Sequence, residues 1–257
     1  MLNAIDGNVV DLDDLTGVET SSAPEQKTFD GKRFPLILTP STFAAAASAG
    51  CDRDIERWLT WTTENRGRLR RLLLQHGAIL FRGFPVDTPE DFDAFVRSFG
   101  YETFPYVGGA AARTLVVADR VATANEAPSE AVIPFHHEMA QCPDWPAVLF
   151  FYCDVRPGAG GETPLALSPV ALRLIADRQP EFVRRLAAEG VRYARVAPDG
   201  DDTNSAIGRG WQSTFQTTER GVAEERAREQ NTEFEWLEDG SMRTVTKVIY
   251  KLWVYEK

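Results

Sequence analysis

The pattern of apolar and polar positions divides the chain into short elements. Residues 1–33 are polar and turn-rich and read as an extended arm, which becomes ordered where FPLIL, Phe34 to Leu38, packs as a strand. A stretch rich in Trp, Leu and Arg predicts a helix from Asp54 to Gln75, with Gly77 placed to cap its end. AILF, Ala78 to Phe81, reads as a short buried strand. Thr88-Pro89-Glu90-Asp91 then starts a second helix, with a hydroxyl cap, proline at the first position and acids in the first turn. Its apolar stripe is Phe92, Phe95, Val96 and Phe99.

Further along, TLVVA (Thr114 to Ala118), AVLFFYC (Ala147 to Cys153) and VRYARV (Val191 to Val196) read as strands. Pro157 to Thr163, PGAGGET, is a loop without the G-K-[ST] of a phosphate cradle. Helices are expected over Ser168–Ala176, Pro180–Ala188 and Thr218–Gln230, with a turn at Glu238-Asp239-Gly240. There is no internal repeat. The mixture predicts an α+β domain built on an antiparallel sheet sandwich.

Composition narrows the function. The chain has 257 residues, a net charge of -10 and 43% apolar residues, which is ordinary for a globular protein with a sizeable core. The negative charge gives no electrostatic support for nucleic-acid or anionic-membrane binding. No run reaches the roughly 18 apolar residues of a membrane span, and the acidic N-terminus is unlike a secretory signal. Three cysteines without a C-x-x-C pair argue for a reducing compartment, hence a cytoplasmic address. Homo-oligomerisation is left open.

Two of the three histidines fall in PFHHEMAQC, residues 134–142. In extended chain, residues i and i+2 point to one side, so His136 and Glu138 can chelate one ion while His137 faces away. One imidazole and one carboxylate are two-thirds of the 2-His-1-carboxylate triad of non-haem Fe(II) oxygenases. Taken alone, such a pair is more often a surface hydrogen bond. Zinc motifs fit worse: Gln141 stands where H-E-x-x-H needs its second histidine, and Cys142 has no cysteine three residues on. Cys142 lacks a basic neighbour to make it a nucleophile. His76 beside Gly77 reads as a helix-end residue. Arg209, Trp211 and Phe215 read either as part of a substrate pocket or, for the two aromatics four apart, as core packing.

Four stretches in order, His76 to Gly100, Ile133 to Leu165, Gly208 to Thr217 and Phe234 to Thr244, resemble the TauD/TfdA family of Fe(II)- and 2-oxoglutarate-dependent oxygenases. The resemblance implies a double-stranded β-helix (jelly roll) with flanking helices over residues 34–246, and makes His136 and Glu138 the metal ligands and catalytic pair. It makes Thr163, in GGET, a hydrogen-bond partner of 2-oxoglutarate. Asn125, in TANEAP upstream of the histidines, is separately expected as a contact to co-substrate or substrate. It implies O2 as reactant and a small metabolite, amino-acid-like or carrier-tethered, as substrate. Because Glu138 occupies the place of the carboxylate ligand, hydroxylation or desaturation is expected and halogenation is not.

The family's second histidine ligand and its 2-oxoglutarate-binding arginine lie downstream of the last matching stretch, and no histidine follows His137. Three of the five lysines fall in the final 11 residues, KVIYKLWVYEK. Residues 247–257 are therefore expected to be an aberrant tail from a shifted frame or premature end, with the last jelly-roll strands missing. The alternative expectation is a catalytically inactive relative.

Overall fold

The structure, a computed structural model, describes residue 12 and residues 15–41, 54–104, 106–111, 113–117, 120–124, 126, 128, 130–205 and 207–249. It divides into two compact units, residues 1–102 with 152–154, and residues 103–151 with 155–257.

The first unit is a small sheet covered by helices. Strands β1 (Val18–Thr20), β4 (Leu36–Pro40) and β5 (Ile79–Phe81) lie in the order β1-β4-β5. β1 is antiparallel to β4, with Glu19 opposite Thr39, and β4 is parallel to β5, with Ile37 opposite Leu80. The central position of β4 explains its sequence: Leu36, Ile37 and Leu38 are all buried, as expected of a strand covered on both faces. β2 (Lys27–Phe29) and β3 (Lys32–Phe34) form a hairpin through Asp30 and Gly31, both at positive φ.

The parallel β4–β5 step requires a crossover, which α1 (Ile55–His76) supplies. Asp54 caps its start by accepting from the Glu56 N–H at 3.1 Å. Gly77, at φ 77°, ends it with an N–H donated to the Leu73 carbonyl. Helix α2 (Pro89–Ser98) carries a reciprocal capping box between Thr88 and Asp91. Leu69 and Leu72 of α1 meet Leu36, Leu38, Trp58, Phe84 and Phe95 in one core. Burying each leucine contributes about 1.5–3 kcal/mol. Of the predicted stripe on α2, Phe95 is buried and Phe92, Val96 and Phe99 are half-buried. Phe92 stacks on Tyr152 at 5.3 Å.

The second unit begins with the hairpin β6 (Leu115–Val117) and β7 (Val121–Ala122). A long irregular segment leads to α3 (Ser168–Arg178) and α4 (Pro180–Glu189). Strands β8 (Ala194–Ala197), β9 (Thr232–Trp236) and β10 (Met242–Thr246) form an antiparallel sheet in the order β8-β10-β9. Between β8 and β9 come α5 (Trp211–Phe215) and α6 (Arg220–Glu229). Ala223 and Ala227, one turn apart and fully buried, join Trp211, Phe215 and Met242 in the core of this unit. Trp211 and Phe215 are therefore core packing and not pocket lining. The β9–β10 turn is closed by Leu237 N–H to Ser241 O at 2.9 Å, with Gly240 at φ +85°.

Two expected strands differ. AVLFFYC takes no regular secondary structure; Leu149 and Phe151 are exposed while Val148, Phe150 and Tyr152 are half-buried, and the segment joins no ladder among the described residues. A ladder needs a partner strand. VRYARV is paired only from Ala194, with Val191 an isolated bridge to Ile249. Lys247 N–H also bonds the Asn231 carbonyl at 2.9 Å, so residues 247 and 249 pair with the second unit. The architecture is mixed helix and sheet, with no closed barrel among the described residues. Among these residues no helix is long and apolar enough to cross a membrane.

Candidate metal centre

Residues 134–137 are irregular and Glu138 opens a turn. The turn is tight because Met139, buried, takes φ 55°, and Cys142 N–H closes back on the Met139 carbonyl at 2.9 Å. His136 and Glu138 approach one another across the start of the turn: His136 Nε2 lies 3.9 Å from Glu138 Oε2. His137 points elsewhere, with Nε2 2.6 Å from the Ser168 hydroxyl at the start of α3.

The tautomer of His136 follows from its other nitrogen. Nδ1 is 2.8 Å from the Pro134 carbonyl, which only accepts. Nδ1 therefore carries the hydrogen in the neutral ring, and Nε2 turns its lone pair toward Glu138. Metal bonds from imidazole nitrogen and carboxylate oxygen are each about 2.1 Å, so donors on one ion stand about 3.0 Å apart when cis and at most about 4.2 Å. The observed 3.9 Å lies inside the limit and beyond the cis spacing, so the two side chains close by about 1 Å to share one ion. A neutral imidazole nitrogen and a carboxylate oxygen are also the donors a divalent first-row metal takes. The pair fits a metal.

Glu138 is the more buried partner: its side chain is 16% exposed, against 58% for His136. Its Oε1 accepts from Nη2 of Arg113 at 2.9 Å. The Arg113 guanidinium lies 4.2 Å over the Tyr106 ring, and that of Arg209 lies 4.8 Å from the same ring. Burial pushes the Tyr106 phenol above its ordinary value; Arg113 opposes the rise and Glu138 adds to it. Burial also lowers Arg195 and Arg209, each of which bonds to neutral oxygen acceptors. Arg209 donates to the carbonyls of Tyr106 and Gly109, and Arg195 to the Arg209 carbonyl and the Thr214 hydroxyl.

Thr163 sits in the exposed 157–163 loop, where Gly160 and Gly161 both take positive φ. No hydrogen bond among the described residues ties it to His136 or Glu138. Asn125 lies outside the described residues. His76 is a helix-end residue, as expected: it is buried, with Nδ1 2.7 Å from the Arg33 carbonyl in the first unit. Among the described residues no group of three His, Cys, Asp or Glu side chains is placed to hold an ion. Arg113 and Tyr106 were not legible as site residues, because the 25-residue separation of Arg113 from Glu138 carries no local signal. Cys142 is buried beside Val107, as fits a structural thiol.

Comparison with known proteins adds to this geometry. The sequence pattern of the family described as "Taurine catabolism dioxygenase TauD, TfdA family" matches residues 38–247. A clavaminate synthase-like protein of Arabidopsis thaliana is 45% identical over 232 residues, 90% of this chain and 69% of the relative. Dapdiamide synthesis protein DdaC of Enterobacter agglomerans is 31% identical over 173 residues, 67% of this chain and 50% of the relative.

Proposed function

We propose, from the premise that this chain belongs to the TauD, TfdA dioxygenase family, that it is an Fe(II)- and 2-oxoglutarate-dependent oxygenase that hydroxylates or desaturates a small metabolite. The single observation that carries the reading is the placement of His136 Nε2 and Glu138 Oε2 within the span of one ion. When bound, the metal and its co-substrate supply the activation of O2 that no amino-acid side chain provides. The chain's own part is binding and orientation. His136 offers a lone pair fixed by the Pro134 carbonyl, and Glu138 offers the negative charge that favours a dication. By resemblance, Thr163 hydrogen-bonds the co-substrate, and Asn125, upstream of the histidines in sequence, is proposed as a contact to co-substrate or substrate.

The proposed frame is the family's jelly roll, with the β8-β10-β9 sheet as one part of it. The three cysteines, without a C-x-x-C pair, support a cytoplasmic location. An amino-acid-like or carrier-tethered substrate fits the small-molecule chemistry of the family.

A second reading, a catalytically silent relative, is supported by the engagement of the neighbouring histidine. His137 bonds the Ser168 hydroxyl and is not turned to join the pair. Succinate release from 2-oxoglutarate, with Fe(II) and ascorbate, separates the two. Turnover above that of Glu138→Ala supports the oxygenase; turnover equal to that variant supports the silent relative.

A further inference from the structure

The two oxygens of Glu138 face different groups. Oε1 accepts from Nη2 of Arg113 at 2.9 Å, while Oε2 lies 3.9 Å from Nε2 of His136. Nε and Nη2 form the edge of a guanidinium that ordinarily takes both oxygens of one carboxylate. Of that edge Nη2 bonds Glu138, while Nε of Arg113 is buried and has no hydrogen-bond partner among the described residues. A buried donor without a partner is unfavourable, so the second bond of the fork is forgone at a cost. What is kept in exchange is an Oε2 directed at the imidazole.

The guanidinium is itself held in place. It rests on the Tyr106 ring at 4.2 Å, and Arg209, over the same ring at 4.8 Å, bonds the Tyr106 carbonyl at 3.0 Å. The Arg113 side chain is 26% exposed and Glu138 16%, so solvent weakens this pair less than a surface one.

We propose that Arg113 is a positioning residue that pins Oε1 of Glu138 and thereby presents Oε2, beside Nε2 of His136, as a one-oxygen donor to a divalent cation. The inference rests on the metal-binding reading above. Hydrogen-bond partners that orient a ligand carboxylate are worth about 10- to 100-fold in metal affinity. Arg113 also carries a positive charge near the cation, which opposes binding. Orientation outweighs this repulsion, because an unpinned Glu138 would turn toward solvent beside the open His136.

The test is anaerobic titration of Co(II) into the metal-free full chain, read by calorimetry and by the visible bands of the bound ion. Arg113→Ala and Arg113→Gln are expected to bind about 10- to 100-fold more weakly with altered bands. Arg113→Lys, which restores charge without the planar fork, is expected to recover part of the affinity. Wild-type or tighter affinity in Arg113→Ala, with binding lost in Glu138→Ala, overturns the positioning role and leaves the metal reading intact. If wild type does not bind Co(II), or if His136→Ala and Glu138→Ala bind it like wild type, the metal reading fails and the positioning role falls with it. Should Arg113→Ala not fold by circular dichroism, Arg113→Lys decides: wild-type affinity and bands overturn the proposal.

Discussion

Alanine at Gly108 would strain the scaffold directly behind the candidate site. Gly108 takes φ +84°, and a Cβ there would stand 2.5 Å from Oε1 of Gln230 and 2.9 Å from Sγ of Cys142. Its N–H donates to the Thr214 carbonyl at 2.9 Å, and its own carbonyl accepts from Gln141 at 3.0 Å. Gln141 and Cys142 end the turn that follows His136 and Glu138, so displacement at Gly108 is felt by the ligand loop. A left-handed conformation costs an alanine about 1–2 kcal/mol. The Gln230 amide is the far end of a flexible side chain and can move, but the Cys142 thiol is buried, and overpacking there adds about 1–3 kcal/mol. The sum is about 2–5 kcal/mol. Gly200→Ala isolates the first contribution, because Gly200 takes φ +90° with nothing within 4 Å of an added Cβ. Urea unfolding followed by tryptophan fluorescence is expected to show Gly108→Ala losing more stability than Gly200→Ala, at matched slopes. Adding Cys142→Ala to Gly108→Ala should recover part of the loss, a coupling of about 0.5–3 kcal/mol. Equal losses in the two glycine variants, or no coupling to Cys142, would refute the reasoning.

Thr88→Ala removes one arm of the α2 capping box and should destabilise by about 1 kcal/mol, read as a fall in Tm of roughly 2–4 °C. Tyr106 has a folded-state pKa raised mainly by burial, so its contribution is fully present below the ordinary phenol value and is lost as pH rises through the folded one. Tyr106→Phe, which keeps the ring under Arg113, should therefore flatten the alkaline loss of stability in urea titrations above about pH 10. Glu224 is held low, first by the Trp236 indole N–H at 2.9 Å, so its contribution is present above the ordinary carboxylate range and is lost as pH falls. Glu224→Gln should show a shallower acid limb in the same measurement.

The legible parts of the fold were those whose signals are local. Asp54, Gly77 and the Thr88–Asp91 box mark helix ends through contacts within four residues, and α1 and α2 lie where those residues place them. The pairing of His136 with Glu138 was likewise a local signal, and the two side chains lie 3.9 Å apart, although across a turn and not along a strand. AVLFFYC shows the limit: its alternation survives, but a ladder depends on a second segment that its own residues do not specify. The β9–β10 hairpin was visible only as a turn at Glu238-Asp239-Gly240, because TEFEW and MRTVT each carry three polar residues and only two apolar ones. The ambiguity between pocket and core for Trp211 and Phe215 resolved to core once α6 placed Ala223 and Ala227 against them. Arg113 could not be found from sequence, since its pairing with Glu138 arises from tertiary placement.

The central claim is that His136 and Glu138, and not the adjacent His137, share one divalent ion. Anaerobic Co(II) binding measured in parallel for His136→Ala and His137→Ala tests it most directly. Loss of binding in the first variant with retention in the second is the predicted result. Loss confined to His137→Ala, or equal binding in both variants, would contradict it.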